Sequence, residues 1–382
     1  MLEVVLNEPP QGVFFSGSEV SGKLKVRVNE PTRKLYKKIQ VTLVGLAYVS
    51  WRVGQIRTFT SNEIYIKVST IVWKKEQMPT QELHVGINSF PFQFQIPADR
   101  LPSSFQGSIG WIQYYVEGRI GTTVPGRCGH AVKVPITVVE NVDINVPQLQ
   151  TAFCAVKQKT LGCLFCASAP ITLNVELPRR GFCYGDTIPL KATLENGSSR
   201  QLRLRAQLLQ VIVYTAEGKY HKYTQRAVAS IASGQLEPRT TSTWNPDELL
   251  VPVDGRIVPT LKSCGIINLD YVLKVSAIIP WGLNLTVDVT ITIGNASLHS
   301  STSAPNPVSV ISMVQPQFLS PQWPAPSTFP TQDVYPPSDQ PPPFGPGSSS
   351  STVGSGDFQS APPPSYEAVV ANPNEYMHIT RF

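Results

Sequence analysis

The sequence predicts an all-β protein: two β-sandwiches in tandem, followed by a disordered Pro-rich C-terminal tail. Three observations carry that reading. Over the first 300 residues, apolar and polar side chains alternate in short runs, the period of a strand with one buried face. Glycine and proline punctuate those runs at Pro9-Pro10, Gly54, Gly86, Pro97 and Pro125-Gly126, where the chain must reverse. No stretch of 12 or more residues carries a convincing 3.6-residue period. Many short strands at regular spacing, with turn signals between them, define a sandwich.

The runs follow one another in order. Glu19-Val-Ser-Gly-Lys-Leu-Lys-Val-Arg-Val alternates from Val20 to Val28. Ile39-Gln-Val-Thr-Leu-Val-Gly-Leu, Phe90-Pro-Phe-Gln-Phe-Gln-Ile and Val132-Lys-Val-Pro-Ile-Thr-Val repeat the pattern. It resumes with Ile171-Thr-Leu-Asn-Val-Glu-Leu, Ile188-Pro-Leu-Lys-Ala-Thr-Leu and Gln207-Leu-Leu-Gln-Val-Ile-Val-Tyr. It closes at Leu285-Thr-Val-Asp-Val-Thr-Ile-Thr-Ile-Gly. The two halves share landmarks. Phe14-Phe-Ser-Gly-Ser-Glu-Val answers Phe182-Cys-Tyr-Gly-Asp-Thr-Ile, with Gly17 opposite Gly185 at an offset of 168 residues. Gln113-Tyr-Tyr-Val-Glu answers Asp270-Tyr-Val-Leu-Lys, with Tyr114 opposite Tyr271 at an offset of 157. Equivalent landmarks in one order at similar offsets point to an internal duplication. The competing reading is convergence of unrelated sandwiches on aromatic-glycine turns. The expected boundaries are a first domain over 1–141, a cysteine-containing connection over 142–169, a second domain over 170–296 and the tail over 297–382.

Composition separates body from tail. The chain has 382 residues, 41% apolar and 15% charged, with a formal charge of +6. Residues 301–382 hold 17 of the 35 prolines, one basic residue (Arg381) and five acidic ones, so the tail carries −4 and the body +10. Met1-Leu-Glu-Val-Val-Leu-Asn-Glu shows no basic segment leading into an apolar run, and no run reaches the roughly 18 apolar residues of a membrane span. A cytoplasmic protein is expected, its six cysteines mostly thiols. The sequons at Asn196, Asn284 and Asn295 then have no glycosylation machinery to meet.

The pattern argues against catalysis. Five histidines (His84, His130, His221, His299, His378) are scattered, and there is no nucleophile elbow, His-Glu-x-x-His, Walker A or dinucleotide fingerprint. Cys163-Leu-Phe-Cys166 is one close pair, with Cys154 and Cys183 on either side, whereas a structural zinc takes two such pairs. A redox pair needs a helix N-terminus, and this one sits among strands. Neither a metal nor a cofactor is expected, and these cysteines read as small apolar side chains at the edge of the second sandwich. Basic residues cluster at Arg33, Lys34, Lys37 and Lys38 and again at Lys74-Lys75. They read either as solvated turns or as contacts for anionic headgroups and acidic or phosphorylated cargo tails. No nucleic-acid module accompanies them, so no nucleic-acid partner is expected.

Several landmarks together resemble a known family. Phe15-Ser-Gly-Ser-Glu-Val-Ser-Gly, Leu101-Pro-Ser-Ser-Phe and Gly110-Trp-Ile-Gln-Tyr-Tyr-Val resemble the N-terminal arrestin domain. Phe182-Cys-Tyr-Gly-Asp, Glu195-Asn-Gly-Ser-Ser-Arg, Cys264-Gly-Ile-Ile-Asn-Leu-Asp-Tyr-Val-Leu-Lys-Val and Ile291-Thr-Ile-Gly resemble the C-terminal one. With its tail, the chain looks like an arrestin-domain-containing protein, an α-arrestin. That resemblance implies two immunoglobulin-type, seven-strand-like sandwiches with concave faces towards one side, joined by a linker near Val142 to Leu149. It implies an adaptor, not an enzyme, that meets receptors or transporters at the plasma membrane and endosomes. One branch of the family binds thioredoxin through a cysteine of the C-terminal domain. The corresponding stretch here, Ala229-Ser-Ile-Ala-Ser-Gly-Gln-Leu, has none.

The tail holds the sharpest motif. Pro363, Pro364 and Tyr366 form a Pro-Pro-x-Tyr sequence within Ala361-Pro-Pro-Pro-Ser-Tyr-Glu-Ala. Successive prolines hold φ near −65° and bias their neighbours to extended geometry, so the segment is already close to polyproline II. WW-domain grooves take that helix at little ordering cost. Pro341, Pro342 and Phe344 repeat the shape with phenylalanine for tyrosine, and two sites on one tail raise avidity for tandem WW domains. Thr380-Arg381-Phe382 fits a weak PDZ ligand. Neither Thr302-Ser-Ala-Pro305 nor Gln359-Ser-Ala-Pro362 has the leading proline of a budding motif. In the family, WW ligands of this kind recruit HECT-type ubiquitin ligases. The alternative is a trafficking-coat subunit or scaffold that shares the sandwiches and works without a ligase.

Overall fold

The computed structural model describes residues 2–7, 12–29, 36–54, 57–76, 83–99, 101–122, 130–161, 169–253 and 257–295. The first sandwich contains β1 (Leu2–Leu6), β2 (Val13–Phe15), β3 (Glu19–Val28), β4 (Tyr36–Val53), β5 (Arg57–Lys74), β6 (Gly86–Gln95), β7 (Phe105–Gln106), β8 (Gly110–Thr122) and β9 (Ala131–Val139). A three-stranded sheet, β1-β3-β6, faces a larger one ordered β2-β9-β8-β4-β5, with β7 paired to β8. The alternation anticipated on β3 becomes its burial: Val20, Gly22, Leu24, Val26 and Val28 are buried while the residues alternating with them face outward. Gly118 on β8 leaves the space that Leu24 and Val4 fill from the opposite sheet.

A linker with one short helix, α1 (Pro147–Gln150), leads to the second sandwich, and Pro147 suits the first helical turn because its missing N–H has no partner there anyway. That sandwich contains β10 (Phe153–Lys159), β11 (Ile171–Leu177), β12 (Gly181–Cys183), β13 (Lys191–Asn196), β14 (Leu202–Ala216), β15 (Tyr220–Leu236), β16 (Thr241–Trp244), β17 (Ile267–Ile278) and β18 (Leu285–Gly294). The sheets are β10-β11-β13-β16 and β12-β18-β17-β14-β15. Among the described residues each sandwich thus has nine strands, two more than the seven-strand pattern. β10 falls in the stretch read as a connection, yet it pairs along β11 from Phe153↔Leu177 to Lys159↔Ile171. The run Ile188-Pro-Leu-Lys-Ala-Thr-Leu becomes strand only from Lys191, because Pro189 has no N–H to give a ladder.

The shared landmarks have shared geometry. Phe14 and Phe182 are buried, and each opening strand pairs in parallel with the last strand of its own domain, β2 with β9 and β12 with β18. Ser18 N–H bonds the Phe15 carbonyl at 3.0 Å, and Asp186 N–H bonds the Cys183 carbonyl at 3.2 Å. Both turns have glycine at their third position with positive φ, 87° at Gly17 and 80° at Gly185, which an L side chain resists. Tyr114 and Tyr271 are both buried, and each donates its hydroxyl at 2.7 Å to a carbonyl 12 or 13 residues earlier, Pro102 and Val258. Gln210 also donates to Tyr271 Oη at 2.9 Å.

Removing either tyrosine hydroxyl leaves a carbonyl, buried at Pro102 and part-buried at Val258, without that partner. Tyr114→Phe and Tyr271→Phe should each destabilise the protein by about 1–3 kcal/mol, read as a lower denaturation midpoint at unchanged m.

Candidate functional site

The first sandwich meets the second where the middle of β5 faces the loop before β17. One Glu63 carboxylate oxygen accepts the Gly265 N–H at 3.0 Å and also the Tyr65 hydroxyl. Tyr65 Oη lies 3.1 Å from Cys264 Sγ. Tyr65 is the donor in both contacts, its one proton shared between the Glu63 carboxylate, the stronger acceptor, and the Cys264 sulfur, which also accepts the Ile267 N–H at 3.2 Å. Gly265 is required here by contact, since a Cβ would overlap the Glu63 carboxylate. Gly107 has the same role for Tyr214, whose hydroxyl enters from β14 into the space a side chain would occupy.

Further contacts join the sandwiches. Ser263 donates to Glu140 Oε2 at 2.6 Å. At the far end of β5, Arg57 pairs with Glu217 at 3.0 Å and lies over the rings of Phe59 and Tyr220. Ser61 Oγ accepts the Glu217 N–H at 2.8 Å. On the linker side Asn295 accepts the Val142 N–H and donates to the Glu140 carbonyl, both at 2.9 Å. Most buried apolar side chains of both sandwiches form one contiguous cluster, with Leu209, Val211 and Val272 in a small separate one.

An open cleft of about 630 Å³ lies along this seam, lined by Glu63, Tyr65, Asp99, Leu101, Lys262 and Cys264 among others. Its chemistry is quiet. Burial, reinforced by the neighbouring Cys264, pushes the Tyr65 hydroxyl well above the usual phenol range. Burial pushes the Cys264 thiol up to about 11, although the Tyr65 hydrogen bond pulls the other way. Burial also raises the Glu140 carboxyl, partly offset by the Ser263 hydrogen bond. A thiol held neutral is a poor nucleophile, and the pocket has no activated base beside it. Lys262 pairs instead with the buried Asp270. Among the described residues no group of three or more His, Cys, Asp or Glu could hold a metal ion.

The candidate basic residues fall on the first sandwich. Lys37 and Lys38 begin β4, and β5 ends beside them: Lys38 pairs directly with Lys74, and Lys75 N–H bonds the Lys37 carbonyl at 3.1 Å. Two clusters that are separate in sequence are therefore one patch, with Lys74 paired to Glu76 at 3.4 Å. Like charges directly opposite on neighbouring strands cost stability, which a solvated turn does not require. The distances across this long hairpin were not readable from sequence. Arg33 and Lys34 lie outside the described residues. So do Cys163, Cys166 and every tail motif: Pro341, Pro342, Phe344, Pro363, Pro364, Tyr366 and Thr380–Phe382. Cys154 is exposed, Cys183 half-buried and Cys264 buried. The seam residues Glu63, Tyr65 and Gly265 were missed altogether. Only the internal glycine of Cys264-Gly-Ile-Ile hinted at a close approach.

Two β-sandwiches joined through a polar seam define a protein built on paired sandwiches. Comparison with known families makes this specific. Residues 2–145 match the family model "Arrestin (or S-antigen), N-terminal domain", and residues 167–298 match "Arrestin (or S-antigen), C-terminal domain". Human arrestin domain-containing protein 4 is 30% identical over 303 residues, covering 77% of this chain and 71% of the relative. Human thioredoxin-interacting protein is 29% identical over 309 residues, covering 79% and 76%. The chain belongs to the arrestin family, within its arrestin-domain-containing (α-arrestin) branch.

The seam makes two predictions. Gly265→Ala should cost about 1–3 kcal/mol and raise hydrogen exchange at 263–267 and in β5. Adding Glu63→Ala should restore part of the loss, because the overlapping carboxylate is gone, so the pair should be non-additive in a double-mutant cycle. The second prediction concerns pH. Because burial raises the Glu140 pKa, the folded protein holds that proton more tightly than the unfolded chain. The charge on Glu140 therefore opposes folding above its raised pKa, and the penalty fades as pH falls through that value. Glu140→Gln should be more stable than wild type at neutral pH, with an advantage that shrinks on acidification in parallel denaturant titrations.

Proposed function

We propose that this protein is an α-arrestin-type adaptor linking membrane cargo to a WW-domain HECT ubiquitin ligase. The cargo, a receptor or transporter, is then ubiquitinated, internalised and sorted at endosomes. The observation that carries the reading is Pro363-Pro364-Ser365-Tyr366, a WW ligand in a charge-poor, Pro-rich tail attached to an arrestin double sandwich. Pro341, Pro342 and Phe344 act as a weaker companion site. The division of labour is physical: the body offers fixed surfaces, and the tail offers a short polyproline ligand whose binding needs no rearrangement of the body.

Cargo contact falls to the folded surfaces. The Lys37, Lys38, Lys74 and Lys75 patch, continued in sequence by Arg33 and Lys34, suits acidic or phosphorylated cytoplasmic tails and anionic headgroups. No helix among the described residues is long and apolar enough to cross a membrane, so the membrane association proposed is peripheral. Thioredoxin appears in the name of one relative, but the stretch corresponding to that branch's reactive cysteine, on β15, contains none, and thioredoxin binding is not part of this proposal.

The test is a pull-down of the full chain with a WW-domain array. Combined Pro364→Ala and Tyr366→Ala should reduce capture at least about tenfold, since the tyrosine ring and the proline ridge each fill an apolar pocket. Undiminished capture would sink the assignment of this site. Stoichiometric co-purification of partners, with no ligase among them, would favour a coat or scaffold instead.

A further inference from the structure

The edge of the first sandwich carries a short strip that its own sheet does not cover. β5 is the last strand of that sheet, and among the described residues no strand lies beyond it. Within it Lys67-Val-Ser-Thr-Ile71 is exposed at every position, on both faces, with Val68 at 49% and Ile71 at 45%. Valine, threonine and isoleucine favour extended backbone, so the strip suits strand geometry with a neighbour on one side alone. Two bulges bound it. The register with β4 shifts between Gly45 and Leu46 and again between Ile39 and Gln40. Bulges of this kind interrupt an edge that would otherwise pair along its whole length. The regular window left between them, residues 66–71, is about 20 Å long.

The direction of its amides follows from the strand behind it. Peptide groups along a strand turn alternately to one neighbour and the other. On β4 the Ser50 N–H bonds the Ile109 carbonyl on the β8 side at 2.8 Å, whereas the Lys37 carbonyl accepts the Lys75 N–H on the β5 side at 3.1 Å. Odd-numbered residues of β4 therefore turn to β5, Val41 and Leu43 among them, and their direct partners Thr70 and Val68 turn back to them. Ser69 and Ile71 alternate with those two and direct their N–H and C=O groups away from the sheet. The Ser69 hydroxyl is engaged elsewhere, 2.9 Å from Thr42 Oγ1.

Charge selects the occupant. The window runs on into Lys74 and Lys75, with Lys37 and Lys38 beside them on β4. A second copy of β5, with three basic residues and one acid, would add like charge to that contact. An acidic strand is attracted to it instead. We infer that residues 66–71 receive an extended acidic peptide, which adds to the sheet as one more strand and lays its carboxylates on the lysine patch. Main-chain bonds to Ser69 and Ile71 hold the peptide, and alternate peptide side chains pack beside Val68 and Ile71. The inference rests on the proposed role of the patch in receiving acidic cargo tails, and it adds the mode of binding.

The test uses the full chain and a labelled peptide in which Thr-Val-Thr-Val-Thr is flanked on each side by three glutamates. Binding is read by fluorescence anisotropy, and hydrogen exchange reads the mode. On binding, the Ser69 and Ile71 amides should slow at least about tenfold, while Val68 and Thr70, already bonded to β4, change little. Ser69→Pro removes one outward N–H at an edge position, where proline is tolerated. It should bind at least about tenfold more weakly than Ser69→Ala, which loses the same hydroxyl and keeps the N–H. N-methylating the five central amides of the peptide should weaken binding by a similar factor, and this arm carries the test if Ser69→Pro has a lowered thermal midpoint. Lys37→Ala with Lys38→Ala tests the patch separately and should also weaken binding. If wild type ignores the peptide, the cargo reading of the patch falls together with the inference. If the lysine variant weakens binding while the methylated peptide binds as the plain one and Ser69 and Ile71 stay unprotected, the patch reading stands and the inference is overturned. Binding indifferent to the lysine pair would overturn the acidic occupant. Self-association of the chain that Ser69→Pro blocks would assign the edge to a second copy and likewise overturn it.

Discussion

The relation between the two sandwiches depends on one missing side chain. At Gly265 the backbone of the second domain comes close enough for its N–H to reach the Glu63 carboxylate of the first, and a β-carbon there would overlap that carboxylate. Around this contact the other polar side chains are neutral, the Tyr65 hydroxyl as donor and the Cys264 thiol beside it, both kept protonated by burial. A single carboxylate among neutral donors is well satisfied without a second buried charge, which avoids most of the desolvation cost of an ion pair. The Arg57–Glu217 pair at the far end of β5 has side chains 54% and 39% exposed, so screening leaves it little energetic weight. Its rings and the Ser61 bond set geometry instead. The seam is therefore held by one partly buried cap, by Tyr214 entering beside Gly107, and by the apolar cluster that runs through both domains.

What could be read from the chain was whatever repeats locally. Strands such as β3 and β18 alternate because each buries one face, and that alternation survives in the sequence whatever the rest of the protein does. The turn glycines Gly17 and Gly185 were legible because positive φ selects glycine, and Tyr114 and Tyr271 because a large buried ring near a strand recurs at a fixed place. β5 was not legible. It is an edge strand with Ile64, Val68 and Ile71 exposed, and its inward residues serve the seam as much as the core. β10 was passed over for a related reason, since its outer positions Cys154 and Val156 are exposed and the alternation is faint. The seam itself joins residues about 200 apart, such as Tyr65 and Cys264, and no local period encodes such a pairing. Of the candidate binding residues, the structure unites Lys37 and Lys38 with Lys74 and Lys75, a pairing the hairpin register creates and spacing alone does not.

The same seam bears on what the folded body can offer a partner. With the sandwiches fixed to one another, surfaces on different domains keep constant spacing and orientation. A basic patch on β4 and β5 and the surfaces of the second sandwich are then separate positions on one frame. Two weak contacts on such a frame reinforce each other only when both can be made at once, because the second becomes intramolecular at an effective concentration set by geometry. Loosening the seam would dilute that reinforcement without touching either contact. A tail ligand is free of this constraint, since a flexible segment reaches its partner over a range of positions. The body is thus the part of the molecule where a small packing change in the seam, at Gly265 or Glu63, is felt at a distance, through the relative placement of surfaces that neither residue touches.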